Sequence, residues 1–317
     1  MEITGIIEEK RYIHPRKGYR RRIFTGNLML VVTGLMTAIG IIPLVWIIVY
    51  VAIRGAQNIN LNFFTQLPRP LGMTGGGVLN SIEGTLILSI LAALFSIPIG
   101  LLTALYTANN PNTLLGTTVR FGTDVLSGVP SIVVGIFCYG LVVKTQGHYS
   151  ALAGGISLAI IMLPTIIRTT EEMIKLVPNT LREGSLALGA AEWKTAILVT
   201  LPAALNGILT GFLLALARAS GETAPLLFTA LGNDRFEAGR IIQGSITNGA
   251  SPFETISAIL SQPVDSLPLT LFKYSQQPFP ERVNQSWSVA LVLLFFVLLV
   301  NIIARVWIQL RSKKMNG

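Results

Sequence analysis

The chain has 317 residues, of which 51% belong to the hydrophobic set AVILMFWYC and only 12% are Asp, Glu, Lys or Arg; its mean hydropathy is +0.62. A soluble domain carries about 25% charged residues, so this chain cannot cover a water-facing surface, which excludes a soluble enzyme, a disordered regulator and a disulfide scaffold. The net charge of +9 sits mainly at the two ends, Lys10, Arg11, Arg16, Lys17, Arg20, Arg21 and Arg22 at one and Arg305, Arg311, Lys313 and Lys314 at the other. That distribution suits cytoplasmic flanks of membrane spans rather than a nucleic-acid-reading face.

A helix needs about 20 mainly apolar residues to cross the hydrocarbon core. In chain order, the uncharged windows predict spans near 27–53, 82–108, 122–143, 151–172, 197–220 and 287–308. The first is too long for a signal-peptide core and lacks a small-residue cleavage site, so it is expected to remain as an anchor. The second stops at Asn109-Asn110-Pro111-Asn112. Six spans put both termini on one side of the membrane. With the termini inside, sixteen basic residues fall on inner segments and seven on outer ones, so both termini are expected in the cytoplasm. The expected layout is a basic tail at 1–26, a first span and outer loop at 27–80, a core at 81–308 and a second basic tail at 309–317.

Between spans, Gly75-Gly76-Gly77 reads as a flexible turn. Arg120 and Asp124, at i and i+4, read as a local pair at the start of the third span. Pro98, Pro130 and Pro164 within spans suggest kinks, and Gly154-Gly155 suggests a close helix contact. Cys138, the one cysteine, lies in an apolar stretch, and His14 and His148 have no ligand-spaced neighbours. No metal site is expected. The outer segment 232–286, with Pro263, Pro268, Pro278 and Pro280 among its residues, is expected to contain a structured portion.

The inner segment 168–194 does not read as a plain linker. Asn179 or Thr180 offers an N-cap, Glu183 is placed in the first turn, Leu181, Leu186, Ala187 and Leu188 give an apolar stripe, and Gly189 stops the helix. From periodicity alone this is an amphipathic connector in the interface. Its spacing is more specific. Glu183-Gly184-Ser185, three residues, Gly189, nine residues, Val199, one residue and Leu201-Pro202 resembles the EAA loop of ABC importer permeases, whose pattern is Glu-Ala-Ala, three residues, Gly, nine residues, Ile, one residue, Leu-Pro. Gly184, Ser185 and Val199 depart from it, with small residues kept where small ones are expected.

Further stretches narrow the resemblance. Ser127–Phe137 is similar to a segment of phosphate permeases. Ile167-Arg168-Thr169-Thr170-Glu171, the run Ala217–Leu231 that contains Arg218, Gly221, Glu222 and Pro225, and Leu267–Lys273 resemble the PstA permease family of phosphate-specific importers. The resemblance runs from about residue 80 to the C-terminus. It implies an all-α membrane protein with the type I ABC importer permease fold and a coupling helix at about 179–193. The implied partners are a homologous PstC-like permease, an external PstS-like phosphate-binding protein and two PstB-like ATPases that use ATP and Mg. The chain has no Gly-x-x-x-x-Gly-Lys-Ser/Thr run, so hydrolysis is expected in another chain and no cofactor in this one. The lipid bilayer is the remaining partner.

The candidate site residues follow from charge. Arg218 and Glu222 lie at i and i+4, near the middle or outer half of the fifth span, where each ionisable group costs about 2.5–3.5 kcal/mol on insertion scales. They form either a structural ion pair or a cargo contact in which Glu222 steadies the Arg218 guanidinium, a fork suited to phosphate oxygens. Gly221 and Pro225 are expected to break the helix beyond them, and with Pro130 are possible gating points. Arg168 is either a snorkelling helix-end residue or a second cargo contact, a role that rests chiefly on the resemblance. Glu183, Gly184, Ser185, Gly189, Leu201 and Pro202 are the residues expected to couple to the ATPase. Another oxyanion, such as sulfate or molybdate, would keep the coupling loop and change only the cargo. An ion-coupled secondary transporter would need inverted repeats and acidic relays, and a membrane enzyme a nucleophile–base or metal constellation.

Overall fold

A computed structural model describes residues 18–315 apart from Leu71 and Thr74. The expected tail positions Lys10, Arg11, His14, Arg16 and Lys17 lie outside the described residues. The chain divides into two compact units at Ala52 and Ile53. The first is the apolar helix α1, Tyr19–Gly55, of which residues up to Ala52 belong to it.

The second unit holds the remaining elements. Helix α2 spans Leu79–Asn109, α3 Leu114–Gly128, α4 Ser131–Gln146 and α5 Ala151–Lys175. Then come α6, Asn179–Ala187, α7, Glu192–Ala219, and the short α8, Ala224–Thr229. Helices α9 (Ala238–Thr247), α10 (Pro252–Leu260) and α11 (Leu267–Ser275) fill the segment expected to be an outer loop, and α12, Pro280–Met315, closes the chain. Among the described residues five helices are long and apolar enough to cross a membrane, and α3 with α4 makes a sixth if counted as one span.

That pair corrects the continuous third span expected over 122–143. The two helices meet at 105°. Pro130 is the cause. It has no N–H to continue the ladder, and it holds Val129 in extended backbone at ψ 129°. Pro98 and Pro164, by contrast, lie inside unbroken helices.

Small residues set the helix spacing, because nothing but close packing and hydrogen bonds draws helices together in lipid. A Cβ on Gly154 would stand 2.7 Å from Leu88 Cδ2, and one on Gly155 would stand 2.5 Å from Leu91 Cβ. The expected close contact at Gly154-Gly155 is therefore the α2–α5 crossing. Gly207 and Gly211, one turn apart on α7, meet Met173 and Thr169 of α5 in the same way. Leu88, Leu91, Leu158, Met162, Ala215 and Leu226 form the main core where these helices cross.

The segment 232–286 is structured, as expected. Thr85 of α2 accepts a hydrogen bond from the Leu267 backbone N–H at 2.8 Å, and Gly84 leaves room for the Asp265 carbonyl. The buried Asp265 carboxylate accepts from Lys273 Nζ at 2.6 Å and from the Ser266 N–H at 2.9 Å. Lys273 reaches Asp234 as well, at 3.0 Å. Gly75-Gly76-Gly77 is not a loose turn either. Gly75 and Gly76 take positive φ, 83° and 85°, Gly76 pairs with Pro68 in an antiparallel bridge, and Gln285 donates to the Gly75 carbonyl at 3.0 Å.

Candidate functional site

Arg218 sits in the last turn of α7, not in the middle of a span. The helix ends at Ala219, and Ser220–Thr223 turn the chain into α8, whose second residue is Pro225. The break expected at Gly221 and Pro225 is present. A cation at a helix C-terminus also meets the negative end of the helix dipole, which lowers its cost there. Glu222 Oε1 lies 4.0 Å from Arg218 Nε, a loose pair in which the arginine side chain stays 58% exposed. Pro225 forms a tight joint, because a Cβ on Gly135 of α4 would stand 2.6 Å from its Cα. The two halves of the broken elements, α4 and α8, thus pack on each other at Gly135.

A cavity of about 230 Å³ lies between α3, α4, α5 and the end of α7. It brings together two residues singled out from sequence, Arg168 of α5 and Arg218 of α7, on one lining. Thr123, Asp124 and Ser127 from α3, Ser131 from α4, and Thr165 and Thr169 from α5 share that lining. Glu222 is not among its lining residues. Pro130 lies at the break between the two lining helices α3 and α4. Arg168 carries an exposed i,i+4 pair with Glu172, Nε to Oε1 at 3.4 Å, and neither arginine is buried in a closed ion pair.

The Arg120–Asp124 pair expected from spacing does not form. Arg120 Nε donates to Glu171 Oε1 at 2.7 Å, and its other nitrogens donate to the backbone carbonyls of Thr107 at 2.5 Å and Pro111 at 2.8 Å. Glu171 is buried and also accepts from Lys175 at 2.5 Å. Asp124, exposed, is left without that partner and lines the cavity.

The expected coupling loop is a helix over Asn179–Ala187 followed by a turn, with a second helical start at Glu192. Its N-cap is Pro178 and not Asn179 or Thr180, so Glu183 falls in the second turn, exposed. Gly189 ends it with φ 83°, its N–H donating to the Leu186 carbonyl at 2.9 Å. Ser185 bonds Thr195 across the turn at 2.9 Å and so folds the helix back on α7. A Cβ on Gly184 would meet nothing within 4 Å, so the glycine in place of alanine there costs no contact. Leu201 packs against Ile174 and Ile208 in a small core. Pro202 removes a donor, and the helix takes a π turn over Ala196–Thr200 just before it. Leu181, Leu186, Leu188 and Trp193 remain exposed.

The family described as "Binding-protein-dependent transport system inner membrane component" matches residues 96–317. The phosphate transport system permease protein PstA of Yersinia pestis is 38% identical over 292 residues, covering 92% of each chain. The protein of the same name from Xylella fastidiosa is 42% identical over 265 residues, covering 83% of this chain and 85% of its own. A probable phosphate transport system permease protein PstA of Methanocaldococcus jannaschii is 33% identical, covering 90% and 94%. The chain belongs to the PstA permease family.

Solved structures agree on the architecture. A chain of the bacterial alginate ABC transporter in complex with alginate pentasaccharide-bound periplasmic protein aligns with a TM-score of 0.56 at 13% identity, over 94% of this chain and 98% of that one. A chain of the MetNI methionine ABC transporter in an inward-facing conformation aligns at 0.54 and 18% identity, over 73% and 94%. At such identities the likeness is one of fold, that of type I ABC importer permeases. As a PstA-family member the chain is a multi-pass membrane component of a transport system, a permease.

Sequence reasoning missed two features of this PstA-family chain. One is the role of Glu171, for which a carboxylate four residues before Lys175 is a readable sign of an ion pair. The Gly207-x-x-x-Gly211 spacing was a second readable signal, since it marks close helix approach.

Proposed function

We propose that this chain forms, with a homologous PstC-like permease, the path by which inorganic phosphate from an external PstS-like binding protein crosses a prokaryotic inner membrane. Two PstB-like ATPases on the cytoplasmic side supply the energy, and ATP and Mg belong to them. Both termini and the helix Asn179–Ala187 face the cytoplasm, an orientation supported by the excess of basic residues on those segments. The exposed Leu181, Leu186, Leu188 and Trp193 are the surface an ATPase groove would cover, and Glu183 would be the polar contact. Ser185, Gly189, Leu201 and Pro202 shape the loop and its junction with α7, and Gly184 leaves its surface open.

One observation carries the cargo reading. In a chain related to phosphate transport permeases, Arg168 and Arg218 line the same cavity, so two guanidinium forks can address one tetrahedral anion. Neither is locked in a close buried pair, and this suits a station that must be left as well as entered. Glu222, beside Arg218, limits the positive charge without entering the cavity. The broken elements at Pro130 and at Gly221–Pro225 are the places where the path can open and close. ATP and the loaded binding protein would each favour one state through differential affinity.

Uptake of radiolabelled phosphate by phosphate-starved cells lacking this gene tests the reading. Wild type should restore uptake, and Arg218→Gln and Glu183→Lys at equal membrane abundance should not. Full restoration by Arg218→Gln would reduce that residue to a structural pair, and failure of wild type would overturn the cargo.

A further inference from the structure

Asp124 is an acidic residue on the lining of a cavity that, on the phosphate reading, receives an anion. Its expected partner, Arg120, is turned away to Glu171 and to the carbonyls of Thr107 and Pro111. Among the described residues Asp124 makes no side-chain hydrogen bond or ion pair, and it lines the cavity with Arg168 and Arg218. A bare carboxylate there repels any fully deprotonated oxyanion. It is useful only to a ligand that brings a proton.

Three of the five lining hydroxyls point the same way. Thr123 Oγ1 donates to the Val119 carbonyl at 2.8 Å, Ser127 Oγ to the Asp124 carbonyl at 2.8 Å, and Thr169 Oγ1 to the Thr165 carbonyl at 2.7 Å. Each has spent its one proton on its own helix, so only lone pairs remain to it. The fixed donors are the two guanidiniums, the hydroxyls of Ser131 and Thr165 can donate or accept, and the remaining groups, one carboxylate and three hydroxyl oxygens, can only accept. A ligand that satisfies both sets must accept through several oxygens and donate through at least one. Inorganic phosphate keeps one or two P–OH groups at neutral pH, whereas sulfate keeps none.

We propose that Asp124 is the specificity-determining residue of the cavity, accepting a hydrogen bond from a P–OH of the cargo and rejecting oxyanions that carry no proton. This rests on the phosphate reading above and adds to it a filter that acts after the binding protein. A site built to bond a ligand hydroxyl rejects the analogue without it, because the site's polar group is then left unpaired. Here the unpaired group is charged and faces a like charge, which strengthens the rejection.

The test is equilibrium binding of radiolabelled phosphate, arsenate and sulfate to the assembled importer in nanodiscs, without nucleotide or binding protein. Wild type should prefer phosphate and arsenate, both protonated, over sulfate. Asp124→Asn, which supplies an amide donor in the same shape, should shrink that preference by about tenfold or more, chiefly through a gain in sulfate binding. Asp124→Glu should retain it. An unchanged ratio in Asp124→Asn, or an equal gain for all three anions, would overturn the inference and leave a simple counter-charge, with the phosphate reading intact. Absence of phosphate binding by wild type would overturn both. Arg218→Gln should weaken all three anions alike, which separates the binding charge from the discriminating one.

Discussion

Removing the Glu171 carboxylate should be strongly destabilising. The side chain is 2% exposed and holds Arg120 and Lys175, whose own side chains are 20% and 50% exposed. Taking one partner from a buried pair costs about 3–5 kcal/mol, because the other charge is left uncompensated. Two terms reduce that for Glu171→Ala. Arg120 keeps the carbonyls of Thr107 and Pro111, and the half-exposed Lys175 recovers its hydration, so its share is about 0–1 kcal/mol. The expected loss is about 3 kcal/mol. At about 1.5 °C per kcal/mol for a chain of this length, the melting midpoint should fall by about 4–5 °C.

The chain carries its own probe. Cys138 is its single cysteine and is fully buried in α4, so a thiol-reactive fluorophore reports unfolding when the other subunits are made cysteine-free. Glu172→Ala is the control, since its pair with Arg168 is 3.4 Å long and more than half exposed on both sides, worth about 0–1 kcal/mol. Glu171→Gln, which keeps one acceptor oxygen, should fall between the two. A Glu171→Ala shift no larger than that of Glu172→Ala would refute the view that this network ties α3 to α5.

Gly155→Ala should cost about 1–3 kcal/mol in the same melting assay, since its Cβ would stand 2.5 Å from Leu91 Cβ at the α2–α5 crossing. Leu188→Asp should leave the melting midpoint unchanged, because the side chain is exposed, yet abolish co-purification of the ATPase and phosphate uptake; retained co-purification would remove this helix from the docking surface. The Lys273 ammonium is lowered by burial but raised more by Asp265 and Asp234, so its proton is held more tightly in the folded chain. Its contribution is therefore complete below the ordinary value of about 10.4 and is lost as pH rises through the higher folded value. Melting midpoints of wild type should drop over that alkaline range, and those of Lys273→Met should drop less.

Spans were legible because lipid demands long apolar helices, and the five continuous ones follow directly from the uncharged windows. The third was not, since hydropathy counts residues and ignores direction. The sequence announces Pro130 but does not say whether a proline inside an apolar run bends a helix, as at the break between α3 and α4, or is passed through, as at Pro164. The shape of the loop between α5 and α7 was readable because its glycine and proline act locally, Gly189 through positive φ and Pro202 through a missing donor. Arg120 shows the limit of i,i+4 reasoning. Asp124 was in reach, but the buried Glu171 on another helix, with two carbonyls at the end of α2, satisfies more of the guanidinium's donors. Arg168 and Arg218 could be suspected one at a time from charge in apolar segments. Only the crossing of α5 and α7, set by Gly207 and Gly211, puts them on one cavity.

The same contacts give the proposed importer a short mechanical route from ATPase to cavity. Helix α6 is joined to α5 by only Leu176, Val177 and Pro178, and Val177 packs into the small core with Ile174, Leu201 and Ile208. A push on α6 therefore reaches the end of α5 before slack can absorb it. On α5 the relevant residues lie within two turns: Lys175 and Glu171 at the stapled end, then Arg168 at the cavity. Glu171 holds Arg120, and Asp124 lies one turn further along α3. Moving α5 must then either carry α3 with it, keeping Arg168 and Asp124 at a fixed spacing, or break the Arg120 pair. Arg218, on α7 beyond the π turn at Ala196–Thr200, is outside that staple. A motion that slides α5 and α3 against α7 would separate Arg218 from Arg168 and Asp124, which on the proposed function opens the two-guanidinium grip and releases the anion. If so, Glu171→Gln should uncouple the steps, leaving ATP hydrolysis running while phosphate uptake per ATP falls. Unchanged uptake per ATP in that variant would show that the two helices move independently.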